Sequence, residues 1–391
     1  MKTRGVPDFL LLFLTALLVG FGITMVLSSS SIFALTSFTV NGCKVCGGDE
    51  LYFVKRQAVF LLVGTVGMLI TMNIPFSFYK RHFLLIAFVS VLALFLVLIP
   101  GIGQNIQGAR RWFSLGPVNL QPAEFAKLGL ILYLAAIISK KEVGFRDLKK
   151  GLLPALVVTG LFCGLIVVQP DMGTAAILLG TAVIVMICGG ARIGHLFWLG
   201  FPTSTLAFIV YVTTKNHAWN RLTSFMDPWS DPLNTGYHIK QSLIAIAHGG
   251  WTGTGFGKSI QKYLYLPEAH TDFIFAVMSE ELGFIGTTLF LLIYLLFLLR
   301  GIQICLKVQD TFASLAGIGI ISMIGIQAFI NIGGVTATIP LSGVTLPFIS
   351  YGGSSLLVIL LSCGILLSIS REVSRQKIVE QGQKHLYTEA R

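Results

Sequence analysis

Long apolar stretches alternate with short polar ones along the chain. Ten of them, near 8–28, 57–75, 82–100, 122–139, 151–169, 172–189, 193–213, 273–299, 312–332 and 348–370, are apolar almost throughout. A helix needs about 20 such residues to cross the hydrocarbon core of a bilayer. The stretches are continuous rather than alternating at every second residue, which selects helices over a closed barrel. The pattern predicts an all-α polytopic membrane protein with about ten transmembrane helices. It predicts a single domain over 1–391, with a large ordered loop at 215–272 between helices 7 and 8 and a polar tail at 371–391. The first stretch, behind Lys2 and Arg4, is too long for a signal-peptide core and reads as an uncleaved span.

Composition narrows this further. The chain is 54% hydrophobic and only 12% charged, about half the charge fraction of a soluble domain. With the N-terminus inside, most of the 28 basic residues fall in inside segments, Lys80, Arg81, Lys140, Lys141, Arg300 and Arg371 among them. Both termini are therefore expected to be cytoplasmic. The net charge of +11 reflects this bias and attraction to anionic headgroups; it gives no argument for a nucleic-acid partner.

The 215–272 loop is rich in aromatics and turn formers, including Asp-Pro steps at Asp227 and Asp231. Residues Tyr237 to Ala247 have the pattern of a short amphipathic helix on the membrane surface. The stretch GGWTGTGFGKS invites a phosphate-loop reading, but Thr252 stands where that pattern needs glycine. Its glycines are expected to form a tight turn against lipid. His217, His238, His248 and His270 lack metal-ligand spacing. Cys43 and Cys46 form a C-x-x-C that reads as a local disulfide or two free thiols rather than a zinc site. Cys163, Cys188 and Cys363 read as packing residues.

The candidate chemistry lies in a few polar groups at span ends. In YLPEAHTDFIFAV, Asp272 sits where the chain turns apolar, with Glu268 and His270 just before it. Glu280 and Glu281 follow eight and nine residues later, about 12 Å along a helix. Acids at that depth are costly unless used; they read either as a buried structural pair or as part of the chemistry. Glu124 and Lys127 share a helix face and can pair; the pair either neutralises itself or lets Lys127 orient an acid from another segment. Arg110, Arg111 and Trp112 lie in an outside loop, where a guanidinium suits a phosphate headgroup and Trp112 also suits an interfacial anchor. The echoes QPAE at Gln121 and QPDM at Gln169 place Glu124 and Asp171 at helix starts. PLSGVTLPFISYGGSS, from Pro340 to Ser355, carries no charge and implies irregular backbone bordering a cavity.

These residues resemble a known family. RRWF…QPAEFAKL, QPDMGTA, YHIKQSLIAIAHGG, QKYLYLPEAHTDFIFAVMSEELGF and LPFISYGGSSLL, in this order, resemble the signature stretches of the SEDS family (shape, elongation, division and sporulation) over nearly the whole chain. The wording is nearer to the division and sporulation (FtsW/SpoVE-like) branch; NIGGVTATIPLSG and the Cys43–Cys46 pair depart from the family pattern. The resemblance implies a peptidoglycan glycosyltransferase of the bacterial cytoplasmic membrane that polymerises lipid II at the outer face, for septal wall synthesis. It implies a class B penicillin-binding protein and the division or elongation machinery as partners. It implies Asp272 as the essential acid, with Arg110, Arg111, Trp112, Glu124, Lys127, Asp171, His270, Glu280 and Glu281 around the substrate. No cofactor is certain; a divalent cation, Mg or Mn, is a candidate. Two other readings stay open at this point: a flippase for a lipid-linked precursor, and a non-catalytic division scaffold.

Overall fold

A computed structural model of the chain describes residues 5–35, 38–40, 43–46, 48–106, 109–116, 118–214, 219, 223, 225–227, 229 and 236–389. Helices α1 (Phe9–Leu35), α2 (Tyr52–Asn73), α3 (Phe76–Leu96), α4 (Pro122–Lys141), α5 (Leu153–Val168), α6 (Met172–Cys188) and α7 (Ile193–Thr214) form the first part of the bundle. The second part comprises α8 (Tyr237–Gly249), α9 (Ile274–Lys307), α10 (Thr311–Val335) and α11 (Gly353–Glu389). Among the described residues, seven helices are long and apolar enough to cross a membrane, and α5 and α6 are shorter apolar helices. Every predicted span corresponds to a helix, so the polytopic all-α reading holds. Large apolar side chains such as Leu62, Leu84, Phe88, Leu292 and Leu296 point outward, as a lipid-facing surface requires.

Boundaries shift where charge misled the reading. The third span was expected from 82, yet α3 starts at Phe76, directly after the extended Pro75. Lys80 lies inside the helix because Asp310 neutralises it at 3.0 Å. The segment expected as an outside loop before α4 is a three-stranded antiparallel sheet, β3 (Gly103–Ile106), β4 (Ala109–Leu115) and β5 (Val118–Leu120). A smaller hairpin, β1 (Phe38–Val40) and β2 (Cys43–Cys46), follows α1. The pairing of the Cys43 and Cys46 thiols falls on side chains outside the described residues, as does most of the predicted cap at 215–235. Cys363 is buried, whereas Cys188 is exposed at a helix end.

Side-chain bonds define the two ends of the bundle. At one end, Arg300 pairs with Asp8 at 2.6 Å, Arg371 donates to the Gly5 carbonyl at 3.0 Å, and Lys80 meets Asp310. At the other, Gln57 donates to the Ser350 carbonyl at 3.3 Å, Gln121 bonds Asp171, and Ser28 bonds Glu281. Three of the basic residues that predict orientation, Lys80, Arg300 and Arg371, thus lie at the end opposite Asp272.

The helix that follows Asp272 is broken. Gly283 inside α9 has φ 65° and ψ −170°, a conformation reserved for glycine. A break in a membrane helix strands backbone groups that need new partners. The 250–255 loop supplies them. Thr254 N–H donates to the Glu280 carbonyl at 3.0 Å and Gly255 N–H to the Glu281 carbonyl at 3.1 Å. Phe284 N–H donates to the Gly250 carbonyl at 2.8 Å and Ile285 N–H to the Trp251 carbonyl at 3.1 Å. A Cβ on Gly253 would sit 2.2 Å from the Glu281 carbonyl oxygen. The glycine-rich loop therefore hugs a broken helix, a contact that the expected tight turn against lipid does not include. Helix α8 is the short amphipathic helix that the sequence predicts, and its buried face packs into the bundle. Its small residues Ser242, Ala245 and Gly249 form a buried stripe, and Ser242 donates to the Val335 carbonyl of α10 at 2.7 Å.

Candidate active site

Asp272 ends a tight turn. The Glu268 carbonyl accepts from the Thr271 hydroxyl and N–H, both at 3.1 Å, and from Phe273 N–H at 3.3 Å. Helix α9 begins two residues after Asp272, at Ile274. The carboxyl-bearing residue is half-buried at the mouth of the bundle. Its backbone is pinned from another helix: Asn331 of α10 donates from Nδ2 to the Asp272 carbonyl at 2.8 Å and to the Val344 carbonyl at 2.6 Å.

One turn earlier on α10, Gln327 continues this network. Its Oε1 accepts from Lys127 Nζ at 2.7 Å, and its Nε2 donates to the Thr345 carbonyl at 3.0 Å. Lys127 also pairs with Glu124 at 2.9 Å, and both are nearly fully buried. The predicted i,i+3 pair therefore exists, and a third partner links its cation to α10 and to the 340–355 loop. Glu124 Oε2 and Asn331 Oδ1 are buried acceptors with no hydrogen-bond partner in the described structure.

Glu280 and Glu281 are completely buried, and both face the chain that precedes α9. Glu280 accepts from Ile260 N–H at 3.0 Å, from Gln261 N–H at 3.3 Å and from the Ser259 hydroxyl, and it meets His248 Nδ1 at 2.8 Å. Glu281 accepts from the Ser28 hydroxyl at 2.6 Å and pairs with Lys262 at 3.2 Å. Charged groups this deep are tolerated when paired and hydrogen-bonded. The two acids hold the 257–262 loop in place and tie it to α1.

His270 stands between rings. Its imidazole lies 4.5 Å from the Phe53 ring, 5.1 Å from Phe33 and 5.7 Å from Tyr351. Burial disfavours the imidazolium and, against a weaker opposing pull from Glu268, lowers the pKa to about 4. The unfolded chain takes up this proton near the ordinary 6.5, so stability is full above that pH and falls as the pH drops toward about 4. The loss across this window is on the order of 3 kcal/mol. We expect the melting temperature of the purified protein to decline from pH 7 to pH 4.5, and His270→Phe to flatten that decline. A decline of equal steepness in the variant would refute this assignment.

The model of the FtsW/RodA/SpoVE family, described as cell cycle protein, matches residues 9–375. The chain belongs to this family. Stage V sporulation protein E of Bacillus subtilis (strain 168) is 42% identical over 365 residues, covering 93% of this chain and 97% of that protein. The probable peptidoglycan glycosyltransferase FtsW of Trichlorobacter lovleyi is 43% identical over 364 residues, covering 93% of each. Among solved structures, a chain of a peptidoglycan synthase complex that coordinates polymerization and crosslinking superposes with a TM-score of 0.73 at 30% identity. That match covers 94% of this chain and 98% of that one. The rod shape determining protein RodA of Thermus thermophilus gives 0.68 at 29% identity, covering 94% and 97%.

In this FtsW/RodA/SpoVE-family chain, the three-stranded sheet gives the two arginines different surroundings. Strand β4 bulges here: Trp112 stands opposite Gln104 and Arg110 opposite Asn105, leaving Arg111 as the extra residue. Arg111 is committed: its Nε donates to the Gln169 carbonyl at 2.9 Å and its guanidinium also reaches the Pro170 carbonyl. Arg110 is exposed. Asp171 caps α6, its Oδ1 accepting from Thr174 N–H at 3.2 Å, and its Oδ2 accepts from Gln121 at 3.1 Å. The two sequence echoes thus meet through the glutamine of one and the acid of the other. Among the described residues no three His, Cys, Asp or Glu side chains converge to hold a metal ion. Sequence reasoning missed Gln327, Asn331 and Lys262. The first two carried a legible signal, since amides four residues apart inside an apolar stretch need partners.

Proposed function

We propose that this chain polymerises lipid II into glycan strands at the outer face of the bacterial cytoplasmic membrane, for septal wall synthesis in division or sporulation, with Asp272 as the base. One observation carries the reading: a half-buried carboxylate at the polar–apolar junction, at the bundle end opposite the basic cluster, with its backbone pinned to α10. The sugar–phosphate bond of a lipid-borne donor lies at headgroup depth, and the base belongs there too. Asp272 takes the proton from the acceptor's sugar hydroxyl as that oxygen attacks the anomeric carbon of the donor. The bond from this carbon to the diphosphate oxygen breaks, and its electron pair leaves on the polyprenyl diphosphate.

Lys127 and Arg111 are already committed within the protein, so Arg110 is the guanidinium open to the diphosphate. Losing one charge-assisted contact costs about 1.5–3 kcal/mol. Arg110→Ala is expected to raise KM for lipid II about tenfold or more with the melting temperature unchanged; an unaltered KM would remove Arg110 from the site. Mg or Mn enters this reading as an ion carried by the substrate's own diphosphate. Both termini face the cytoplasm, and a class B penicillin-binding protein cross-links the product. The decisive assay incubates purified protein with lipid II, with and without that transpeptidase. Chain elongation supports the polymerase, translocation without elongation supports a flippase, and neither supports a scaffold.

A further inference from the structure

We propose that Gln327 and Asn331 of α10 are positioning residues for glycosyl transfer, a two-amide bracket that fixes the Asp272 segment relative to the buried Lys127. The inference rests on Asp272 acting as the base. The two amides are four residues apart and share one helix face, displaced by about 6 Å along the axis. Both are nearly fully buried.

Their partners are what single them out. Gln327 Nε2 holds the Thr345 carbonyl at 3.0 Å, and Asn331 Nδ2 holds the adjacent Val344 carbonyl at 2.6 Å. Two successive residues of the 340–355 loop are thus gripped by two successive turns of one helix. The same Asn331 Nδ2 holds the Asp272 carbonyl at 2.8 Å. Segments more than seventy residues apart in sequence are joined at one nitrogen. At the other end of the bracket, Gln327 Oε1 receives Lys127 Nζ at 2.7 Å. Ser355, at the start of α11, closes the arrangement at 3.3 Å from Gln327 Nε2 and 3.2 Å from the Thr345 hydroxyl.

An amide suits both positions because it bonds without charge: Gln327 donates and accepts, and Asn331 donates to two carbonyls. A carboxylate at 331 would face two carbonyl oxygens. An aliphatic side chain would leave those carbonyls unpaired. The Glu124–Lys127 pair is electrically complete by itself, so the third bond to Gln327 adds no neutralisation; it adds direction. A displacement of about 1 Å at a reacting group can lower a rate about a hundredfold, and the bracket sets where the base stands.

The test uses the full-length protein assayed on lipid II, with its transpeptidase partner present, and compares Gln327→Met, Asn331→Leu and Asp272→Asn. We expect each amide variant to lower kcat ten- to a hundredfold with KM within threefold. We also expect Gln327→Met to cost less than threefold more when added to Glu124→Gln/Lys127→Met, because it acts through that pair. A folded Gln327→Met or Asn331→Leu protein with kcat within threefold of wild type overturns the bracket, as does an effect confined to KM. A full additional loss on the Glu124→Gln/Lys127→Met background also overturns it. Should Asn331→Leu fail to fold, Gln327→Met and the double-background comparison decide. An active Asp272→Asn protein would instead overturn the assignment of the base, while an inactive one beside fully active amide variants would sink the bracket alone.

Discussion

Asp272→Asn is expected to stop glycan polymerisation while leaving a folded, membrane-inserted protein. The substitution keeps the side-chain shape and removes the charge. What fixes this residue in place is its main-chain carbonyl, held by Asn331 at 2.8 Å, and the turn closed on the Glu268 carbonyl. Neither contact involves the carboxylate, so both survive the substitution. The chemistry loses its proton acceptor, an effect of about a hundred- to ten-thousandfold for a positioned general base. Product length on a gel after incubation with lipid II, with the melting temperature measured in parallel, checks both halves. Polymer at the wild-type level would exclude the residue from the mechanism, and a collapsed melting temperature would show a structural role.

The second large effect lies in the backbone. Gly283→Ala is expected to unfold the part of the site built on the 250–255 loop. The φ of 65° and ψ of −170° cost a non-glycine residue about 1–3 kcal/mol. A Cβ there would also sit 2.2 Å from the Gly253 nitrogen, so the 250–255 loop has to move. Moving it puts at risk four main-chain bonds, Thr254 to Glu280, Gly255 to Glu281, Phe284 to Gly250 and Ile285 to Trp251, each about 1 kcal/mol in net terms. Gly160→Ala in α5, where a Cβ meets nothing within 4 Å, is the control and should be neutral or slightly stabilising. Thermal unfolding of the two purified variants checks this, and equal melting temperatures would refute it.

Much of the architecture was legible because lipid enforces it. A continuous apolar run has one structural solution, and the helices followed. The Glu124–Lys127 pair was legible for the same reason, since helical spacing fixes which side chains can meet. The features at the Asp272 end of the bundle were less legible. GGWTGTGFGKS reads locally as a flexible turn, and only its contact with Gly283, thirty residues away, makes it the partner of a broken helix. Arg110 and Arg111 look alike in sequence. The bulge in β4, invisible until the strand pairs with β3, sets them apart: Arg111 is the extra residue and turns to the Gln169 carbonyl, while Arg110 stays exposed. Gln327 and Asn331 carry no charge and stand out little in an apolar stretch, although a buried amide also demands a partner.

Glu280 grips Ile260 and Gln261 through their peptide nitrogens. The neighbouring Trp251, Phe256, Tyr263 and Tyr265 meanwhile turn outward. The path of this rim is therefore written in groups every amino acid shares. Its outward face can be rewritten, residue by residue, to suit a different neighbour without the scaffold beneath having to be redrawn.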